Sequence, residues 1–276
     1  MSVERASLTL RLATHSLLIK GERPWLEALW AHWGEPFLTW GEAHQELSSV
    51  GLSSVGLSSA ELSLTRDQGA GDQGGESQRC ALLFERADLR VWARPERSSS
   101  YVAWVDGSFG AIEASAQVIL QRLLRVHSGL LVHASAGVYQ GEAWLIPGPS
   151  GAGKSTAARG GFERVLSDEL VALTLEPQPM VWGTPFWSEG RDERRFPLRN
   201  EGLLLSALTF PHKAARPALS PLSALEAARL LTRCVTSYER AEESAELFSL
   251  SCAIAERVPA YRLSFPREGD WRATLR

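Results

Sequence analysis

Residues 148–156 (GPSGAGKST) have the types and the spacing that phosphate binding requires. Gly148, four further residues, Gly153, Lys154 and Ser155 form the Walker A pattern. Its glycines let successive backbone N–H groups converge on phosphate oxygens, and the helix that follows adds the positive end of its dipole. Lys154 would bring a charge to the β- and γ-phosphates, and Ser155 would bind Mg²⁺. The sequence therefore predicts a site for ATP and Mg²⁺ made of nine residues: Gly148, Pro149, Ser150, Gly151, Ala152, Gly153, Lys154, Ser155 and Thr156.

The segments on both sides of this loop support the prediction. An apolar strand containing Trp144, Leu145 and Ile146 precedes it, and a potential helix follows it. Lys154 is also one of only three lysines in a chain with 29 basic residues. The alternative is a chance match in a turn rich in glycine and serine, which the flanking strand and helix disfavour.

Two adjacent carboxylates follow the loop closely. Asp168 and Glu169 lie 14 and 15 residues beyond Lys154, which leaves room for a short helix, broken at Gly160-Gly161, and one return strand. In a typical P-loop ATPase the corresponding pair lies much further along the chain. A carboxylate that arrives so soon should face the phosphates from an adjoining strand, where it could accept the proton of a hydroxyl group. The alternative is that the pair forms an exposed turn.

A histidine precedes the loop. His133 lies 21 residues before Lys154, on the first strand of a predicted hairpin. If the two strands of that hairpin are neighbours, the imidazole could contact the γ-phosphate. A single histidine in an apolar strand is more often structural, so both roles stay open at this point.

The second half of the chain alternates strands and helices around the loop. Residues 129–148 predict two strands joined by a Gln140-Gly141 turn. Helices are predicted near 221–235 and 239–257, and a final strand at 260–266. We therefore expect an α/β nucleotide-binding domain over residues 126–276.

The first half predicts a smaller α+β module over residues 1–125. Residues 48–63 repeat a five-residue unit and residues 67–77 are rich in Gly, Gln and Asp, so we expect a flexible insertion over about 48–78. The other elements expected here are a strand at Leu8–Leu12, a helix at 25–33, two strands within 80–94, a hairpin turning at Asp106-Gly107, and a helix at about 115–127.

The composition excludes several classes of protein. The chain is 44% hydrophobic and 22% charged with a formal net charge of -3, which argues against a disordered chain and against a nucleic-acid-binding surface. No apolar run is long enough to span a membrane, and the first residues do not resemble a secretory signal. The three cysteines are odd in number and far apart, which predicts neither a disulfide framework nor a metal site. We expect a cytoplasmic protein.

The segments LLVHASAG, WLIPGPSGAGKST and RVLSDELVAL together resemble the catalytic domain of the HPr serine kinase/phosphorylase family. This resemblance covers roughly residues 125–276 and implies a P-loop, HPr-kinase-like (PEP-carboxykinase-like) mixed sheet with short helices. In that family a strand histidine, the loop lysine and serine, and an aspartate on the next strand share the active site. These fall here on His133, Lys154, Ser155 and Asp168, and the family aspartate accepts the proton of the serine hydroxyl.

The sequence also departs from that family. The family has two aspartates where this chain has Asp168 and Glu169, and we assign Glu169 as a Mg²⁺ ligand. The helix after the loop is about one turn shorter, and the family's downstream glycine-rich signature has no clear counterpart. GTPFWSEG (183–190) resembles what HPr-kinase-like proteins have nearby, which makes Glu189 a candidate for a second Mg²⁺ ligand. A basic cluster could contact phosphates but is more typical of a solvated loop: Arg191, Arg194, Arg195 and Arg199.

The leading hypothesis is a kinase that uses ATP and Mg²⁺ to transfer the γ-phosphoryl group to a serine-type hydroxyl. The acceptor could be a protein, a peptide or free serine. A nucleotide-binding regulatory or scaffold protein without transfer, and a simple ATPase, are the alternatives. The sequence leaves open the acceptor, a homo-oligomeric state, phosphorylase activity, and the choice between ATP and GTP. The first module could recognise the acceptor.

Overall fold

A computed structural model shows a mixed α/β protein with two mixed sheets and a few short helices. It describes residues 4–41, 58–67, 80–94, 99–187, 196–236 and 244–266. Its contacts divide the chain into two compact units, Met1–Leu123 and Leu124–Arg276, and the predicted boundary after residue 125 lies two residues from this division. Among the described residues, none of the helices combines the length and apolar composition that crossing a bilayer requires.

The first unit is built on a seven-stranded sheet with the order β3-β1-β2-β4-β7-β6-β5. Its elements are β1 (Arg5–Leu12), β2 (His15–Glu22), α1 (Arg23–His32), β3 (Leu38–Trp40), β4 (Ser58–Thr65), β5 (Ala81–Arg86), β6 (Leu89–Ala93), β7 (Ser100–Val105) and α2 (Phe109–Val126), whose last turn lies in the second unit. The predicted first strand and first helix are confirmed, because Leu8, Leu10 and Leu12 are fully buried and α1 buries Trp25. The two strands predicted within residues 80–94 are confirmed as β5 and β6.

The flexible insertion predicted over 48–78 is wrong for residues 58–65. These form β4, which lies between β2 and β7 and pairs in parallel with both. Ala60, Leu62 and Leu64 are buried at every second position of β4, which is the alternation of a strand with one face in the core. The five-residue repeat in the sequence conceals this alternation. The rest of the predicted insertion, 48–57 and 68–78, lies outside the described residues.

The hairpin predicted at Asp106-Gly107 is also wrong. β7 ends at Val105 and α2 begins at Phe109, so the turn joins a strand to a helix that starts six residues earlier than expected. Gly107 has the positive φ that the turn was expected to require, at +96°. The Asp106 carboxylate accepts the Ser108 N–H (2.8 Å), and the Ser108 hydroxyl accepts a backbone N–H of the first helical turn (3.3 Å). This local hydrogen bonding starts a helix where a hairpin needs a second strand.

The second unit contains eight strands and three complete helices among its described residues. They are β8 (Gly129–Tyr139), β9 (Glu142–Pro147), α3 (Lys154–Gly161), β10 (Arg164–Ser167), β11 (Leu170–Thr174), β12 (Met180–Trp182), β13 (Gly202–Lys213), β14 (Ala218–Pro221), α4 (Ala224–Thr232), α5 (Ser244–Arg257) and β15 (Ala260–Phe265). The predicted β8–β9 hairpin is confirmed, and Gln140 and Gly141 both have positive φ. The predicted late helices and final strand are confirmed as α4, α5 and β15.

Strand pairing in the second unit places the loop at residues 148–153 at one edge of the sheet. β9 pairs antiparallel with β8 on one side and parallel with β13 on the other, and β13 pairs parallel with β15. The carboxyl ends of β9, β13 and β15 therefore lie at the same edge, which is where ligands bind in open α/β sheets. One buried cluster joins β8, β11 and β13 to α4 and α5, and a second joins β9 and β15 to α3.

Candidate functional site

The loop that follows β9 has the backbone conformation expected of a phosphate loop. Gly151 and Gly153 have φ values of +75° and +96°, which other residues rarely adopt, and Gly153 is the N-cap of α3. The loop is also closed tightly, because the Ala152 N–H donates to the Pro149 carbonyl (3.2 Å). A Cβ added to Gly153 would lie 3.1 Å from the ring of Phe265. The loop thus needs glycine at position 153 for both its conformation and its packing.

Lys154 is buried at the start of α3, with 5% of its surface exposed. Its ammonium group donates to the carbonyl oxygen of Pro149 (3.1 Å). Burial lowers the pKa of Lys154 from its ordinary value of 10.5, while the charges of Glu169 and, more weakly, Asp168 act in the opposite direction. A buried ammonium with so few donors satisfied in the protein is well suited to a polyanionic ligand.

His133 and Glu169 form a pair beside the loop. The imidazole Nδ1 lies 2.9 Å from the backbone oxygen of Glu169, and Nε2 lies 3.2 Å from the Glu169 carboxylate. The His133 carbonyl also accepts the N–H of Gly148 (3.1 Å), the first residue of the loop. The strands β8 and β9 are neighbours, as the sequence argument for His133 required, and β8 brings the histidine opposite Leu170 of β11.

Asp168 lies in the turn between β10 and β11 but is not exposed. Its side chain is only 5% exposed, and one carboxylate oxygen lies 3.9 Å from an Arg159 guanidinium nitrogen. The Ser135 hydroxyl donates to the Asp168 carbonyl (3.3 Å), and the Ser167 hydroxyl donates to the Leu170 carbonyl (2.8 Å), which holds the turn. Glu169 is more accessible, with 38% of its side chain exposed. The alternative of an exposed turn is therefore wrong for Asp168.

A cavity of about 920 Å³ lies over the loop, which is within the usual size of small-molecule sites. Of the two carboxylates, Glu169 lines it and Asp168 does not. The residues that line it are Ser150, Gly151, Ala152, Gly153, Lys154, Ser155, Thr156, Glu169, Lys213, Ala214, Ala215 and Phe265. Sequence reasoning missed the last four, although the scarcity of lysine in this chain was a signal for Lys213.

The donor set of the cavity fits a nucleotide-bound Mg²⁺ better than a protein-held metal. No cluster of three or more His, Cys, Asp or Glu side chains that could hold a metal ion occurs among the described residues. Mg²⁺ usually keeps water and phosphate ligands and takes only one or two from the protein, which Ser155 and Glu169 at the cavity could supply. Glu189, Arg191, Arg194 and Arg195 lie outside the described residues. Arg199 lies 4.0 Å from Glu201 and does not line the cavity.

A protein-family model described as SynChlorMet cassette protein ScmC matches residues 110–275, which is more than half of the chain. The chain belongs to the ScmC family. The matched range contains every residue that lines the cavity. The family's description names a cassette and no chemical activity, and a search among curated proteins finds no match. The resemblance to the HPr kinases stays a prediction.

Proposed function

We propose that this ScmC family member is a kinase with an HPr-kinase-like catalytic domain, which transfers the γ-phosphoryl group of ATP to a serine-type hydroxyl. One observation carries the proposal: the glycine loop, the buried Lys154 ammonium and the Glu169 carboxylate line a single cavity. Phosphoryl transfer requires little covalent chemistry from the protein. It requires that the phosphates be positioned, that their charge be stabilised, and that the attacking hydroxyl lose its proton.

In this proposal the loop amides and Lys154 hold the phosphate chain. Lys154 is buried, so its charge acts in a medium of lower dielectric than water and stabilises the phosphate oxygens more strongly than a surface lysine would. When bound, Mg²⁺ would neutralise part of the phosphate charge, with Ser155 and Glu169 as its candidate protein ligands. ATP and Mg²⁺ are thus the expected substrate and cofactor.

The Asp168-Glu169 pair would supply the proton acceptor. The resemblance assigns this role to Asp168, whereas the geometry favours Glu169, because Glu169 lines the cavity and Asp168 does not. Asp168 lies one residue away, almost fully buried near Arg159, and its charge acts on Lys154. We therefore expect Glu169 to contact the acceptor hydroxyl or the metal, and Asp168 to support the charge of Lys154.

The test is transfer of radiolabel from γ-labelled ATP in the presence of Mg²⁺. Free serine and the proteins encoded by neighbouring genes are the candidate acceptors, and label on one of them is the expected result. Lys154→Ala should abolish transfer and strongly weaken ATP binding. Lys20→Ala is the matched control, because Lys20 lies in the first unit in an ion pair with Glu61 and should leave both unchanged.

Two other outcomes would reject the kinase assignment. Phosphate release that needs no acceptor and disappears in Glu169→Gln would identify an ATPase. ATP binding without release of phosphate or labelling of any acceptor would identify a nucleotide-binding regulatory or scaffold protein.

A further inference from the structure

The cavity extends to both sides of the strand that carries the loop. On the β8 side it is lined by Glu169, which contacts His133. On the β13 side it is lined by Lys213, Ala214, Ala215 and, from β15, Phe265. Because β8 and β13 flank β9 on opposite edges, these two groups lie on opposite sides of the phosphate loop.

The β13 side of the cavity is a wall, formed by residues 213–215 and Phe265, that strand pairing holds in place. Lys213 pairs with Phe265 at the ends of the parallel strands β13 and β15, and the Ala214 N–H donates to the Phe265 carbonyl (3.1 Å). The ring of Phe265 packs against the loop at Gly153. Leu208 of β13 is level with Leu145 of β9, and a Cβ added to Gly148 would lie 3.3 Å from the Pro211 side chain, so β13 still runs beside the chain where the loop begins. The wall thus lies beside the loop and lines the same cavity.

Lys213 has no carboxylate partner in the part of the chain that the structure describes, whereas Lys20 pairs with Glu61. Lys213 is exposed, and the two residues that follow it are alanines. Two of the three lysines in the whole sequence, Lys154 and Lys213, therefore line one cavity. An ammonium group offers three donors and no acceptor, so it can only recognise acceptor atoms such as phosphate oxygens.

We propose that residues 213–215 form the nucleoside side of the site: the Lys213 ammonium binds a phosphate oxygen near the ribose, and Ala214 and Ala215 leave room for the nucleoside. This inference rests on the proposed binding of a nucleoside triphosphate. The direction of the nucleotide in this proposal follows from the position of Glu169. If the γ-phosphate faces this carboxylate on the β8 side, the nucleoside extends to the other side of the loop, toward β13. The wall makes Lys213 a positioning group for the nucleotide, without a part in proton transfer.

The test measures binding of ATP with Mg²⁺, and of inorganic tripolyphosphate with Mg²⁺, by calorimetry. Lys213→Ala should weaken ATP binding by about tenfold, the effect of losing one charge-assisted contact, and the loss should shrink as salt is added. Lys213→Arg should restore most of it. Arg216→Ala removes the same charge three residues further on, from an exposed residue that does not line the cavity, and should bind like wild type.

A second variant tests the nucleoside side directly. Ala215→Leu adds a side chain where we expect the ribose and base, so it should weaken ATP by about fivefold and leave tripolyphosphate unchanged. Wild-type affinity for ATP in both Lys213→Ala and Ala215→Leu would overturn this inference and leave the proposed function intact. Weakened binding in the variants, together with no labelled acceptor, would reject the kinase and retain the subsite. A wild-type protein that does not bind ATP would overturn both.

Discussion

Replacing Lys154 by methionine should separate nucleotide binding from stability. Methionine keeps the length of the side chain and removes its charge. Losing one partner of a buried, hydrogen-bonded charge pair costs about 2–4 kcal/mol, which corresponds to a roughly 30- to 1000-fold weaker Kd for ATP. The estimate applies because Lys154 is 5% exposed and lines the cavity.

The same change should not destabilise the ligand-free protein. Burial lowers the pKa of Lys154 below 10.5, so the folded protein holds that proton less tightly than the unfolded chain does. Between the folded pKa and 10.5 the unfolded chain therefore binds more protons, and the free energy of unfolding rises with pH. At neutral pH the charged form is at a disadvantage in the fold. Methionine cannot donate the hydrogen bond that Lys154 makes to the Pro149 carbonyl. This loss should cost little stability, because Pro149 is exposed and a water molecule can donate in place of the lysine.

The assay is thermal unfolding of both proteins without nucleotide, at pH 7 and at pH 10, together with calorimetry of ATP binding at pH 7. At pH 7 we expect Lys154→Met to unfold at a temperature at least as high as that of the wild type. As the pH rises to 10, the unfolding temperature of the wild type should increase relative to that of the variant. A variant that unfolds at a clearly lower temperature at pH 7 would contradict the reasoning. So would a variant that binds ATP as tightly as wild type, because Lys154 would then make no contact with the phosphates.

Three further predictions concern the carboxylates, the packing and the thiols. Glu169→Gln should lower the rate of transfer by about 10²–10⁴-fold. Asp168→Asn should lower it less, because Asp168 does not line the cavity and Glu169 does. The opposite ranking in single-turnover labelling would return the proton-acceptor role to Asp168. Gly137→Ala should destabilise the protein by about 1–3 kcal/mol in urea unfolding, because the added Cβ would lie 2.2 Å from an aromatic ring. Gly110→Ala is the control: its Cβ would meet nothing within 4 Å, so this variant should be as stable as wild type or slightly more stable. Burial raises the pKa of Cys234 to about 11, so at pH 8 this thiol should react with a disulfide reagent far more slowly than a free thiol, and fast labelling of all three cysteines in the folded protein would argue against its burial.

The conformation of the loop at residues 148–153 could be predicted from sequence because its determinants are local. Gly151 and Gly153 are needed for their positive φ, and a strand before and a helix after the loop can be recognised from short windows of sequence. The adjacency of His133 also follows from local information, since a two-residue turn fixes the β8–β9 hairpin. These features depend on residues close together in the chain.

The wall at residues 213–215 could not be predicted, because it depends on two parallel pairings between distant strands. β13 pairs with β9 and with β15, and each pairing joins residues about 50 or more positions apart in the sequence. Neither β13 nor β15 carries a motif that would indicate these pairings. β4 was missed for a related reason. A repeated five-residue unit indicates low complexity, but the sheet places the alternating Ala60, Leu62 and Leu64 between two strands that lie elsewhere in the sequence.

His133 connects several residues of the candidate site through its backbone and its ring. Its N–H donates to the carbonyl of Cys234 (2.6 Å), its carbonyl accepts the first N–H of the loop, and its ring meets both the backbone and the carboxylate of Glu169. The histidine therefore fixes the side chain of Glu169 relative to Gly148. In the kinase that we propose, a carboxylate held in this way would be oriented before the acceptor arrives, which would lower the cost of reaching the reactive geometry.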